Sequence, residues 1–288
     1  MPAWRKLRAA EIPAALGEIP EPPEQLYLEG EWPDSSYLYL TVVGSRQVSH
    51  YGRECAEKLI GGLSGQPIVI VSGLALGVDT IAHRAALQSR LKTVAFPGSG
   101  LDRAVLHPHS NRRLADEIVA AGGALVSEFD PTYPAGLHTF PRRNRLMAGL
   151  AKAVLIVEAG EKSGTLITAR LALDYNREVL AVPGPIWSSG ARGVNRLIRE
   201  GATPITGSDD ILEALGLGRS DSGEPRQLDL TELSNDERRV VTLLRVEPYP
   251  RDELIRALGL PIHLANPLFS LMEIKGLIKE AMGEIRLA

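Results

Sequence analysis

One cysteine in 288 residues rules out an internal disulfide, and no Cys/His cluster has the spacing of a zinc site. Cys55 reads as a small buried hydrophobe, and such usage fits a reducing cytoplasm. Long apolar runs are also missing: nothing approaches the roughly 18 residues of a membrane span. The opening "MPAWRKLRAAEIPAALGEIPEPPEQ" has no apolar segment of signal-peptide length. A soluble, cytoplasmic protein with no membrane partner is expected. Nor is there an excess of positive charge, since 32 Lys and Arg face 35 Asp and Glu for a formal net charge of -3. Any site for an anion or a nucleic acid must then be a local basic patch on an acidic background. The standard nucleotide loops are absent as well. Gly98 and Gly100 are followed by Arg103 where a G-x-G-x-x-G run needs its third glycine, and Lys162-Ser163 lack the preceding glycines of a P-loop. No cofactor is expected.

What is present is ordinary globular usage, 44% hydrophobic and 23% charged, in a chain long enough for one large or two unequal domains. From Tyr37 to about Leu217, short apolar runs alternate with helical patterns: "YLYLTVVGS", "PIVIVSG", "KTVAFPGSG", "ALVSEF", "AKAVLIVEAG" and "REVLAVPG". Helical spacing fills Asp79 to Ser89, Asn111 to Ala121 and Thr165 to Asn176. That alternation predicts an α/β fold, a doubly wound, Rossmann-like and mostly parallel sheet covered on both faces. Five of the runs end in small residues, at Gly44-Ser45, Ser72-Gly73, Gly98-Ser99-Gly100, Ala159-Gly160 and Pro183-Gly184. Ligands of open α/β sheets bind beyond the carboxyl ends of the strands, so these ends suggest a lined crevice. Residues 1–36 read as a short N-terminal extension, 37–217 as the core and the polar stretch 218–231 as a linker. Residues 232–288 read as three helices and a short ribbon, a small winged-helix domain. Glu247, Asp252, Glu253, Glu273, Glu280 and Glu284 make that domain as plausible a protein-contact module as a DNA reader.

Four constellations could carry chemistry. Gly44-Ser45-Arg46 closes a strand and precedes a helix, and Arg46 adds a forked donor matched to phosphate; a surface arginine capping a loop is the plainer alternative. In "SGLALGVDTIAHRAAL", Gly73 and Gly77 bracket a loop, Asp79 stands at an expected N-cap and His83 one turn later. A cap with an internally bonded histidine explains that pair more simply than an acid–base couple. "FPRRNRLMAGLAK" gathers Phe140, Arg142, Arg143, Asn144, Arg145 and Lys152, while "HPHSNRRL" adds Arg112 and Arg113. Such cations suit phosphates and an exposed phenylalanine suits an unpaired base, although charge runs are usually solvated helix faces. Ser163-Gly164-Thr165 opens a helix directly after a strand, a natural phosphate cradle.

In unbroken order over about Tyr37 to Leu217, "GSRQVSHYG", "SGLALGVDTIAHRAAL", "TVAFPGSGLD", "HPHSNRRLADEI", "SEF", "FPRRNRLMAGL", "VLIVEAGEKSGTLITARLAL", "REVLAVPG" and "GVNRLIREGA" resemble the DNA processing protein A family, also called Smf. The resemblance implies a homodimer that binds and protects single-stranded DNA and loads the RecA recombinase on it during natural transformation, with no enzymatic turnover. It carries DNA-binding roles onto Gly44, Ser45, Arg46, Phe140, Arg143, Asn144 and Arg145, and onto Arg112 and Arg113. The tail, with "LFSLMEIKGLI", is similar to the family's winged-helix module. With Gly73, Arg142, Ser163, Gly164 and Thr165 the candidate DNA-binding set is complete, and no residue is assigned to catalysis or to a metal. The family's dimer contact is expected around Ile198 to Leu217.

Two other readings compete. A nucleotide phosphoribohydrolase shares the sheet, but aligned on Gly164-Thr165 this chain has Thr168 where that enzyme needs its glutamate, and Glu161-Lys162 where it needs paired glycines. A regulator reading duplex DNA through the winged helix is disfavoured by the acidic tail.

Overall fold

The six apolar runs all become strands in the computed structural model of the chain, which describes residues 4–218, 233–281 and 283–287. In chain order the first unit contains β1 (Trp4–Lys6), α1 (Ala14–Gly17), β2 (Tyr27–Gly30), β3 (Leu38–Val43), α2 (His50–Gly61), β4 (Ile68–Ser72), α3 (Val78–Gln88), β5 (Lys92–Ala95) and α4 (Arg112–Ala120). It continues with β6 (Ala124–Ser127), α5 (Thr139–Leu150), β7 (Ala153–Ile156), α6 (Thr165–Asp174), β8 (Glu178–Ala181), α7 (Arg192–Arg199), β9 (Thr203–Pro204) and α8 (Ser208–Leu215). Side chains alternate across the sheet. Val69 and Val71 face the layer holding Met147, Ala169 and Val194, whereas Ile68 and Ile70 face the layer holding Ile60, Ala82 and Ile211. Helices α5, α6 and α7 thus cover one face and α2, α3 and α8 the other.

The nine strands lie in the order β1-β2-β6-β5-β4-β3-β7-β8-β9. Strands β3 to β6 step outward in one direction; β7 then returns to the other side of β3, and β8 and β9 follow it. The reversal falls between β3 and β7, the place where an open α/β sheet leaves a crevice. Seven strands are parallel, while β1 and β2 run antiparallel on the β6 edge. Those two come from residues 1–36, expected only as an extension. They are short, and β1 "WRK" is mostly exposed, so no alternation marks them.

The apolar side chains expected to lie at a dimer contact are largely turned inward: Ile205, Ile211, Leu212 and Leu215 are buried in the chain's own core.

The second unit, Asp221–Ala288, has α9 (Asn235–Leu244), β10 (Tyr249–Pro250), α10 (Arg251–Leu258), α11 (Ile262–Ile274), β11 (Ile278–Ala281) and β12 (Glu284–Leu287). Its strands form a sheet in the order β10-β12-β11, and Val240, Leu254, Phe269 and Ile285 make its core. This is a winged helix. Ser234 and Glu237 form a capping box at the start of α9. The helical pattern of "HLANPLFSLMEIKGLI" stops at Ile274, because Gly276 takes φ +67° and Ile278 begins a strand of the wing. Helix α11 contains neither lysine nor arginine. The expected linker, residues 218–231, lies outside the described residues after 218.

Helix α3 buries His83 completely, and its Nδ1 lies 2.7 Å from Thr93 Oγ1. Thr93 in turn donates to the Ile70 carbonyl, so the imidazole Nδ1–H donates and Nε2 carries the lone pair. Burial, with the charge of Arg143 nearby, pushes the His83 pKa down to about 3. The unfolded chain therefore takes up a proton near pH 6.5 that the native fold refuses, and stability falls as pH drops below that value. Urea unfolding of the wild type and His83→Met should show the difference between them shrinking by about 2 kcal/mol between about pH 7.5 and about pH 5. A constant difference would mean that His83 takes up its proton in the fold as readily as in the unfolded chain.

Candidate nucleic-acid interface

Each strand flanking the reversal ends in a turn that the other holds. Ser45 N–H donates to the Glu158 carbonyl at 2.8 Å, and Val157 N–H to the Val43 carbonyl at 3.1 Å. The carboxylate of Glu158 is buried, and its Oε2 accepts from the Ser49 hydroxyl at 2.6 Å while Ser49 Oγ caps α2 by accepting from Gly52 N–H. On the other side, Gly77 takes φ +76°, and a Cβ there would stand 2.6 Å from the Arg46 carbonyl. Only glycine allows α3 to start that close. The Gly44-Ser45-Arg46 turn is therefore fixed from both sides, by β7 and by the α3 N-terminus.

The cleft beyond these ends is a cavity of about 670 Å³. It is lined by Gly44, Ser45 and Arg46 from the β3 turn; Phe140, Arg143 and Asn144 from α5; and Ser163, Gly164 and Thr165 from the start of α6. Nine of the fourteen candidate residues thus share one cavity. The first turn of α6 faces it with the positive end of the helix dipole. Apolar Leu137 and Ile167 also line it.

The cations of this region differ in what they already touch. Arg46 is exposed, has no carboxylate partner among the described residues, and lies with Cζ 5.0 Å from the Phe140 ring centroid. His107 approaches the same ring at 6.0 Å, and burial followed by the charge of Arg46 holds its imidazole below the usual range. Arg143 is buried and donates to the carbonyls of Gly73 and Phe96. Burial brings its guanidinium pKa down to about 10, against the pull of nearby Asp79. Gly73 is glycine because a Cβ there would collide with that guanidinium.

Asp79 is not the N-cap, a place taken by Gly77, but stands in the first turn of α3. Its Oδ2 accepts from Gly73 N–H at 3.1 Å and Ala75 N–H at 3.3 Å, tying the loop to the helix that follows. Burial raises the pKa of its carboxyl, and the Arg143 charge opposes that shift.

Four candidate arginines lie elsewhere. Arg145 is buried against Glu128 of the "SEF" stretch, and Arg142 pairs with the same carboxylate at 3.4 Å while covering the Phe129 ring. Arg113 pairs with Glu117 one turn along α4 at 2.9 Å, and Arg112 donates to the Ala104 carbonyl at 3.0 Å. None of the four lines the cavity. Conversely, Lys162 lines it, is exposed and has no ion-pair partner among the described residues, although in the sequence it marks only departures from a P-loop and from the phosphoribohydrolase glycine pair. Its place at the carboxyl end of a strand beside the reversal is the signal that would have found it.

A doubly wound sheet whose switch-point cleft joins an arginine with no carboxylate partner among the described residues, a lysine, an aromatic ring and a helix N-terminus defines an α/β protein with a cation-lined cleft, followed in sequence by a winged-helix unit. The chain belongs to the DNA recombination-mediator protein A family: that family's model matches residues 5–216, and the model of the DprA winged helix domain matches residues 224–284. It is 45% identical to protein Smf of Escherichia coli over 68% of this chain and 52% of that protein. It is 43% identical to DNA processing protein DprA of Streptococcus pneumoniae over 69% and 70% of the two chains. The chain thus spans about half the length of the Escherichia coli relative. Among solved structures, DprA of Streptococcus pneumoniae superposes with a TM-score of 0.69 at 39% identity, covering 73% of this chain and 74% of the other. DNA processing protein A of Helicobacter pylori, described for its single-stranded DNA binding mode, superposes with a TM-score of 0.66 at 30% identity, covering 74% and 96%.

Proposed function

We propose that this chain binds single-stranded DNA in the switch-point cleft, protects incoming strands and passes them to RecA during natural transformation, acting as a homodimer. The observation that carries the binding reading is Arg46, exposed and without a carboxylate partner among the described residues, held against Phe140 at the mouth of the cleft. Arg46 and Lys162 take the phosphates, with the α6 N-terminus behind them, and the aromatic ring takes a base. The DNA-binding relative from Helicobacter pylori supports the choice of ligand. Binding without turnover is supported by Thr168 lining the cleft where the phosphoribohydrolases need a glutamate, and by Asp79 being held in backbone hydrogen bonds. The absence of lysine and arginine from α11 favours the cleft over the winged helix as the DNA site. RecA delivery and dimerisation rest on the family resemblance; RecA filament assembly on oligo-dT and sedimentation at micromolar concentration test them.

Fluorescence anisotropy with oligo-dT and a duplex of equal length tests the ligand. Tighter binding of the single strand is expected, weakening with salt by a log-log slope of about -0.7 for each phosphate neutralised. Equal or tighter duplex binding overturns the reading.

A further inference from the structure

A second aromatic lies next to the cleft in a position that folding does not explain. Trp187 is 90% exposed and its neighbour Ile186 72% exposed. They are the two central residues of a turn that Ser188 N–H closes on the Pro185 carbonyl at 2.9 Å. Such positions favour glycine, asparagine, aspartate or proline for their backbone geometry and local hydrogen bonds, and a large apolar side chain exposed there gains nothing from burial. The turn is nonetheless held firmly. Tyr51 donates its hydroxyl to the Pro183 carbonyl at 2.7 Å, and the Asn195 amide exchanges two hydrogen bonds with Gly184, at 3.1 and 3.0 Å. A firmly held base under an exposed indole is the arrangement of a preformed contact, for which little ordering cost falls due on binding.

Its place is set by the loop after β7. Ser189 O lies 3.3 Å from where a Cβ on Gly160 would stand, and Gly193 N–H donates to the Ala159 carbonyl at 2.8 Å. Gly160, Lys162 and Ser163 of that loop line the cleft. Trp187 is two residues from Ser189, so its backbone lies within about 7 Å of that contact. The Trp187 backbone thus lies close to the loop that carries Gly160, Lys162 and Ser163 into the cleft.

We propose that Trp187 is a base-stacking platform that extends the single-strand site beyond the cleft, so that Lys162 holds the phosphate between a base at Phe140 and a base at Trp187. Every base has a π face, so the platform is indifferent to sequence, and it acts only on strands long enough to reach it. This rests on the single-stranded DNA reading above.

The full chain is titrated with oligo-dT of about 4 and about 16 nucleotides, lengths that bracket single-strand site sizes. Trp187→Ala should weaken the long oligonucleotide by roughly 5- to 100-fold and leave the short one unchanged, with Trp187→Phe between wild type and alanine. Intrinsic fluorescence gives an independent readout. Trp4 packs edge-on against Tyr27, and Trp32 donates to the Tyr39 hydroxyl and packs against Phe96, which leaves Trp187 as the exposed member of the three tryptophans. Long oligo-dT should quench the wild type and not Trp187→Ala. Unchanged affinity and quenching in Trp187→Ala, beside weakened binding in Arg46→Ala, overturns the platform and spares the cleft. Loss of self-association in Trp187→Ala with unchanged DNA affinity also overturns it, by assigning the indole to a subunit contact. If Arg46→Ala itself binds normally, the cleft reading falls and the platform falls with it.

Discussion

Arg46→Ala should weaken oligo-dT binding by roughly 10- to 100-fold, because a charge-assisted hydrogen bond to phosphate is lost and Lys162, on the loop after β7, is left with its own phosphate to hold. The substitution is clean with respect to folding: the side chain is exposed, and its described contact is with the face of Phe140. The Gly44-Ser45 turn is held by the Glu158 carbonyl and by Val78 N–H on the Ser45 carbonyl, bonds that Arg46→Ala leaves in place. The thermal midpoint should therefore stay within a degree or two, while the salt slope of binding loses about 0.7, one phosphate contact on a single strand. Arg46→Lys separates charge from shape: it should keep the salt slope and recover only part of the affinity, since an ammonium neither forks onto phosphate nor lies flat on an aromatic ring. Anisotropy titrations of the three proteins over a range of salt concentrations decide the matter. An unchanged slope in Arg46→Ala would place the phosphates elsewhere.

The sheet was legible because its strands are buried on both faces and so read as apolar runs of β-branched residues ending in glycine, from "PIVIVSG" to "REVLAVPG". Pairing order was not written in those runs. The crevice came from glycine-rich ends as a class, and only the return of β7 beside β3 singles out the ends at Gly44 and Gly160. The edge strands β1 and β2 escaped notice because three or four residues cannot show a period, and the partner that orders them, β6, lies about 100 residues away.

The arginines were the least legible. Residues 142, 143 and 145 form one cluster in sequence, yet successive positions on a helix point in different directions. Helix α5 accordingly turns Arg142 and Arg145 to Glu128, and Arg143 under the β4 and β5 ends. Charge in a run is therefore not charge in a patch. What identifies a ligand-binding cation is the absence of an acidic neighbour, a property of the fold; among the described residues it separates Arg46 and Lys162 from Arg113, Arg142 and Arg145.

Arg143 lines the cleft, and two roles for it predict opposite results. If it binds DNA, its removal should cost affinity and little stability. Its burial and its bonds to the Gly73 and Phe96 carbonyls instead make it the internal countercharge of Asp79 and the brace of two strand ends. Arg143→Met leaves a buried carboxyl without its cation and two buried carbonyls without donors, and should lower unfolding free energy by about 3 to 5 kcal/mol. Adding Asp79→Asn removes the stranded charge while keeping an amide oxygen that can accept from Gly73 and Ala75, so the double variant should regain a sizeable part of the loss. On its own, Asp79→Asn should cost less than Arg143→Met, because the burial that raises the carboxyl's pKa already penalises its charge. Urea unfolding of the four proteins gives the coupling energy directly. Losses that simply add would show that the two groups do not sense each other. Should Arg143→Met prove as stable as the wild type while losing DNA, the arginine would belong to the ligand and the brace would have to come from the Asp79 hydrogen bonds alone.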